Sequence, residues 1–317
     1  MPFARIVVAV AALALVGISA SAQVPANVTG LIRENAGQRI AEHVTVILDD
    51  NAPLVPNVGI VAGTRATLII DTGLGDRNGR TVLAEARKAS RNTEFYVMAT
   101  HYHPEHDLGA TAFPPNAKMM RWREQQKEAD EQGADITKRF AGFSPAVAEL
   151  LKDAKFRPAD LVFDDALTLD LGGVHVRIWG VGPTHTRGDT VFYVEEDKVL
   201  FAGDVVMPVF VAANGQYSSI AKWLADLDEF AKLGPAKVVP AHGRMGGVEL
   251  VTRQREYLAA VQSGVAAAKR EGKSAEDAAK QLAAQIAESF PDLAPAGSGP
   301  ATGRINAAIQ AVYREAK

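Results

Sequence analysis

Between residues 43 and 240 the chain is built from short apolar runs bounded by glycine, proline and polar residues, with few helical stripes. Residues 43–49 are rich in β-branched side chains and predict a strand. Residues 58–62 and 67–71 predict two more, joined by a turn at Gly63. Val82, Leu83 and Ala86 share one face of a helix expected over 80–90. The run 95–99 reads as a buried strand, and 117–122 as a short one. Residues 123–160 are charged and read as helical, broken at Gly133 and Gly142.

Strands then return at 161–163, 167–171 and 174–179, with Gly172 and Gly173 as a hairpin turn, and at 191–194 and 199–202. Ile220, Trp223, Leu224, Leu227 and Phe230 keep helical spacing, with Ser219 placed to cap the start and Gly234 past the end. A last strand is expected at 237–240, then alanine-rich helices over 250–271 and 274–288. A Pro/Gly-rich linker at 291–303 leads to a final helix at 304–316. Two β-rich halves, each followed by helices, predict two packed sheets with helices outside, in one domain over 23–290. Residues 291–317 then pack on that domain.

The first 22 residues differ in kind. Arg5 precedes an almost unbroken apolar run from Ile6 to Ile18, and Ala20-Ser21-Ala22 forms a small-residue cleavage signal. This predicts a signal peptide cut after Ala22, and a periplasmic or secreted protein with no membrane attachment after cleavage. Losing Arg5, the only charge there, takes the net charge from −3 to −4. That balance argues against a nucleic-acid partner, which would favour a basic face, and leaves a small-molecule substrate as the expected partner. The absence of cysteine removes thiol nucleophiles, iron–sulfur clusters and thiolate zinc sites. Any metal must be held by imidazole and carboxylate.

Such groups are concentrated directly after the strand at 95–99. Thr100 to Asp107 contains His101, His103, Glu105, His106 and Asp107. The spacing of His101 and His103 points both imidazoles to one side of an extended segment. Glu105 and His106 follow a turn at Pro104 and offer a second set of donors. His185, Asp204 and His242 each follow a further apolar run, close to glycine. Singly, each has an ordinary explanation as a loop or capping residue; jointly, they predict ligands converging on metal. The donor types suit zinc, with iron or manganese as alternatives.

His101-x-His103-x-Glu105-His106, Thr184-His185, Phe201-Ala202-Gly203-Asp204 and Pro240-Ala241-His242-Gly243, in that order, resemble the metallo-β-lactamase superfamily, as do 57–60 and 68–73. The resemblance covers roughly residues 43–246. It implies an α+β fold, an αββα four-layer sandwich, with the site at one edge of the sheets. It implies two zinc ions per chain: one on His101, His103 and His185, the other on Glu105, His106 and His242, with Asp204 bridging. Asp71 would support the loops from below. The chain departs from the family in two places. Glu105 stands where aspartate is usual. The glycine after the last motif histidine comes one residue late, at Gly109, which makes Asp107 an alternative ligand.

The implied reaction is attack of activated water on a carbonyl or, less readily, on phosphorus or sulfur. Glu105 or Asp107 would orient that water, and Tyr102, Arg187 or Tyr217 would stabilise an oxyanion. Export favours a β-lactam as substrate. Asp204 resembles instead the thioesterase, esterase or lactonase branch of the glyoxalase II type. From a different class, His103-x-Glu105-x-Asp107 resembles a diiron oxidoreductase, and a catalytically weak metal-binding accessory protein is a third reading. Leu54, Val55 and Pro56 suggest an apolar flap.

Overall fold

The computed structural model describes residues 27–293 and 299–315. The signal-peptide reading of 1–22, part of the linker at 291–303 and residue 316 fall outside them.

Two sheets form the centre. The first contains β1 (Gly37–Arg39), β2 (Val44–Ile47), β3 (Val58–Ala62), β4 (Ala66–Ile70), β5 (Glu94–Met98), β6 (Lys118–Trp122) and β7 (Leu161–Phe163), in spatial order β1-β2-β3-β4-β5-β6-β7. The second contains β8 (Leu167–Asp170), β9 (His175–Gly180), β10 (Thr190–Val194), β11 (Val199–Gly203) and β12 (Lys237–Pro240), ordered β12-β11-β10-β9-β8. Strands β4, β5, β6 and β7 run parallel, as do β11 and β12; the other pairs are antiparallel.

Both faces of each sheet are covered, so many strands are apolar throughout. Leu68 and Ile70 of β4 pack against Ile178, Phe192 and Phe201 of the second sheet, while Ile69 between them faces outward. Likewise Phe192 and Val194 of β10 point between the sheets, and Val191 and Tyr193 point to the outer helices. This period of two divides one continuous run between two cores. α1 (Gly75–Ala89) covers the first sheet through Val82, Leu83 and Ala86. α5 (Ile220–Leu233), α6 (Val248–Arg270), α7 (Ala275–Ser289) and α8 (Gly299–Glu315) cover the second. The result is the αββα sandwich.

The differences from the sequence reading have local causes. α1 begins before residue 80 despite Gly79, because the Gly109 carbonyl lies where a side chain at 79 would start. α3 (Arg123–Ala141) runs through Gly133, where a Cβ would meet the Phe156 ring, and only Gly142 ends it. α4 (Pro145–Leu151) is capped by Ser144, which accepts from the Val147 amide at 3.1 Å. Residues 152–160 are not helical; Arg157 there donates to the carbonyls of Phe113 and Ala117, at 3.1 and 2.7 Å. α5 is capped as expected, by Ser219 at its start and by Gly234 in a left-handed conformation (φ 57°) at its end.

Candidate metal centre

Five of the seven histidines converge where β5, β9, β11 and β12 end. His43 and His175 lie elsewhere, beside Asp197 and Glu196. Three trios have donor atoms within 4.8 Å of one another: His101, His103 and His185; His101, His106 and Asp204; and Glu105, His106 and His242. The first and third are the groupings that the superfamily resemblance implied.

His101 Nε2 lies 2.9 Å from His103 Nδ1, which lies 3.3 Å from His185 Nε2. Asp204 places Oδ2 3.4 Å from His185 Nε2 and Oδ1 3.8 Å from His242 Nε2, so its carboxylate spans the two groups. Glu105 Oε1 lies 3.7 Å from His106 Nε2. The short helix α2 (Pro104–Asp107) turns Glu105 and His106 inward after the extended His101–His103 segment.

Around them is a layer of groups that orients the rings. Asp71, itself at φ 66°, accepts from the Thr100 amide at 2.7 Å and lies 2.9 Å from His106 Nδ1. His185 Nδ1 is 2.7 Å from the Ala212 carbonyl, and His242 Nδ1 is 3.0 Å from the Val55 carbonyl. Each of these contacts holds the outer nitrogen and leaves Nε2 facing inward, the usual way an imidazole ligand is set. Asp189 ties the His185 loop, accepting from the Thr186 amide and hydroxyl at 2.8 and 2.6 Å. Asn57 ties the His242 loop, donating to the carbonyls of Pro240 and Gly243, each at 2.9 Å.

The inner atoms fit metal. Glu105 Oε2, His106 Nε2 and Asp204 Oδ1 are buried with no hydrogen-bond partner. A fold rarely leaves several such atoms together, because each costs its full desolvation. Burial first, then neighbouring imidazoles, push His101 and His103 well below the usual histidine range, toward the neutral ligand form. Burial also acts downward on His106, but the Asp71, Glu105 and Asp204 carboxylates outweigh it and raise the group to about 9. Burial raises Glu105. At Asp204 the opposing pull of His242, His185 and His106 wins over burial and lowers it.

Two expected catalytic residues lie elsewhere. Asp107 turns away from the cluster: Arg121 of β6 takes both its oxygens, at 2.7 Å from Nη2 and 3.1 Å from Nε, and both side chains are fully buried. That removes Asp107 as ligand or base, and with it the His103-x-Glu105-x-Asp107 register of the diiron reading. Tyr102 packs among Leu74, Leu108 and Phe140, and its hydroxyl donates to Gln132 at 3.3 Å, with burial pushing it up to about 12. Arg187 is committed to Glu128 and Glu131. Tyr217 stays at the rim, its hydroxyl donating to the His185 carbonyl at 3.3 Å. The expected flap is a support instead: Val55 is buried and holds His242, and Leu54 packs on the cluster around Tyr102. Sequence reasoning missed Arg121, Asp189 and Asn57. Only Arg121 carried a signal, as a charge inside an apolar strand.

The sequence model of the metallo-beta-lactamase superfamily matches residues 51–242, and the chain belongs to that superfamily. A linear primary-alkylsulfatase from Pseudomonas sp. (strain ATCC 19151) is 26% identical over 216 residues, 58% of this chain and 41% of that protein. Acyl-coenzyme A thioesterase MBLAC2 of Homo sapiens is 25% identical over 218 residues, 62% of this chain and 76% of its own. Metallo-beta-lactamase type 2 of Bacteroides fragilis is 30% identical over 100 residues, 30% of this chain and 40% of that protein. Among solved structures, the inverting sec-alkylsulfatase Pisa1 from Pseudomonas sp. superposes with a TM-score of 0.67 at 14% identity, covering 88% of this chain and 50% of that one. A metallo-beta-lactamase family protein of Thermus thermophilus gives 0.61 at 20% identity, covering 88% and 95%. The chain thus spans half or less of the two alkylsulfatases, and the structural likenesses establish the fold.

Proposed function

We propose that the protein is a hydrolase of small molecules working with two divalent ions. His101, His103 and His185 would hold one and Glu105, His106 and His242 the other, with the Asp204 carboxylate between the two groups of residues. The observation that carries this reading is the set of buried, partnerless atoms on Glu105, His106 and Asp204, all at one centre. Imidazole and carboxylate donors without thiolate suit zinc. When bound, divalent ions there would lower the pKa of a coordinated water and polarise the bond under attack. The chain's own groups do the rest. Asp71 and the carbonyls of Ala212 and Val55 fix the ring orientations. Glu105, with one oxygen near His106 and the other unpartnered, is placed to orient the attacking water and take up its proton.

For the bond cleaved, the reading extends to a sulfate ester or thioester, since the alkylsulfatase and thioesterase matches each span more than half of this chain. A β-lactam is the second reading, favoured by the higher identity of the shorter match. Export after cleavage at Ala22 belongs to the same proposal.

The test is elemental analysis of the mature protein, then assays on an alkyl sulfate, an acyl thioester and a chromogenic cephalosporin. Two zinc per chain and turnover of at least one substrate, lost in His101→Ala, are expected. Absence of metal, stoichiometric iron with an optical band, or full activity in His101→Ala would sink the reading.

A further inference from the structure

One cation beside the metal centre makes no hydrogen bond or ion pair among the described residues. Arg304 lies on α8, which packs against the second sheet's outer helices through Ile305, Ala308 and Ile309. Its guanidinium sits 3.6 Å above the Phe210 ring. Phe210 is not a distant platform. Ala212, two residues on, holds His185 through its carbonyl. Val209 and Pro208, just before it, lie where a side chain at Gly243 would start, next to His242. The segment carrying Phe210 therefore runs along the rim between the two histidines, and the charge of Arg304 acts on Asp204 and Tyr257.

On the two-ion reading, this placement is electrostatically costly unless an anion joins it. Glu105, Asp204 and the Asp71 carboxylate behind His106 are three negative charges against the four positive charges of two divalent ions, so the loaded centre is net positive. A guanidinium added beside it, partly buried, is repelled, and its cation–π contact with the Phe210 face offsets that only in part. Its N–H donors form a planar fork suited to carboxylate, sulfate or phosphate oxygens. We propose that Arg304, laid over Phe210, is the seat for an oxyanion on the substrate, and that the substrate class is an organic anion whose charged group lies next to the scissile bond. α8 then helps to set specificity, though none of the metal ligands lies on it. This inference rests on the two-ion hydrolase reading for its charge balance.

The test is calorimetric titration of the zinc-loaded mature protein with sodium sulfate and with sodium acetate at fixed ionic strength, in wild type, Arg304→Gln, Arg304→Lys and Arg304→Met. Metal content and melting temperature serve as controls. The expected result is saturable binding, weakened about tenfold or more in Arg304→Gln and Arg304→Met and largely restored in Arg304→Lys. Preference for sulfate points to a sulfate or phosphate group, preference for acetate to a carboxylate. Equal affinity in all four proteins, or no saturable binding in the wild type, overturns the proposal. If Arg304→Gln fails to fold, Arg304→Met keeps the apolar stem and carries the test. With any substrate pair that is turned over, KM for the anionic member should rise about tenfold more than KM for its neutral analogue, with less change in kcat. Failure of the hydrolase reading would show as missing zinc or missing turnover, whereas failure here shows as Arg304-independent binding by zinc-loaded protein.

Discussion

Two acidic side chains two residues apart, Glu105 and Asp107, have opposite fates because of what faces them. Glu105 meets imidazole nitrogens and keeps an oxygen free; Asp107 meets the Arg121 guanidinium. On the proposed two-zinc reading, the wild type is expected to hold two zinc per chain, Glu105→Ala about one and Glu105→Asp both, as read by native mass spectrometry. Asp107→Ala should act on stability, since it strands a fully buried guanidinium. The expected loss is about 3–5 kcal/mol in urea unfolding, with metal stoichiometry unchanged in whatever remains folded. Loss of zinc without loss of stability would place Asp107 back among the ligands. The seven-residue cluster was legible in sequence because each member follows a strand end and carries a donor atom of the kind that metal takes. The choice between Glu105 and Asp107 was not, because it is decided by Arg121, which reaches Asp107 only when β6 lies beside β5. Tyr102 failed for a related reason: between two inward histidines it points to the opposite side, into the packing under α3.

At the level of elements, the apolar pattern located most strands within a residue or two, since both cores demand a strict alternation. It misjudged helices where glycine serves packing instead of breaking the chain. A side chain at Gly109 would run into the Thr72 carbonyl. Gly109→Ala is therefore expected to cost about 1–3 kcal/mol by forcing backbone apart, visible as a lowered urea midpoint. α5 offers a pH test away from the metal. Burial raises Asp226 from 3.8 to about 6, against the pull of Lys222. The native state thus holds a proton that the unfolded chain has released between those values, so this group makes stability fall as pH rises from 3.8 to 6. Asp226→Asn should flatten that part of the stability–pH curve, removing a penalty on the order of 3 kcal/mol by pH 7. An unchanged slope would mean that Lys222 fully compensates the burial.

For the whole molecule, the ordering of two β-rich halves was readable from sequence, and the pairing of their strand ends at one rim came from the superfamily resemblance. The C-terminal helix was expected to pack on the domain, but neither conveyed where: α8 joins the same apolar cluster as β10 and β11. The export reading has a direct check, since secreted protein should show an intact mass and an N-terminus beginning at Gln23. Retention of Met1 in the secreted form would refute it.

Asp204 sits between candidate donors drawn from both halves: His101, His103, Glu105 and His106 come from the end of the first sheet, and His185 and His242 from loops of the second. Metal at that rim would act as a clasp between two sheets that are otherwise glued by the apolar layer behind it. Chelation should then leave a molecule that is still folded but opens from one end. In amide hydrogen exchange, the segments around 100–107, 183–189 and 204–217 should lose protection first, while the amides of β4 and β10 stay slow. A uniform rise across both sheets would mean that the ions stabilise the fold globally, and the clasp would have no separate mechanical existence.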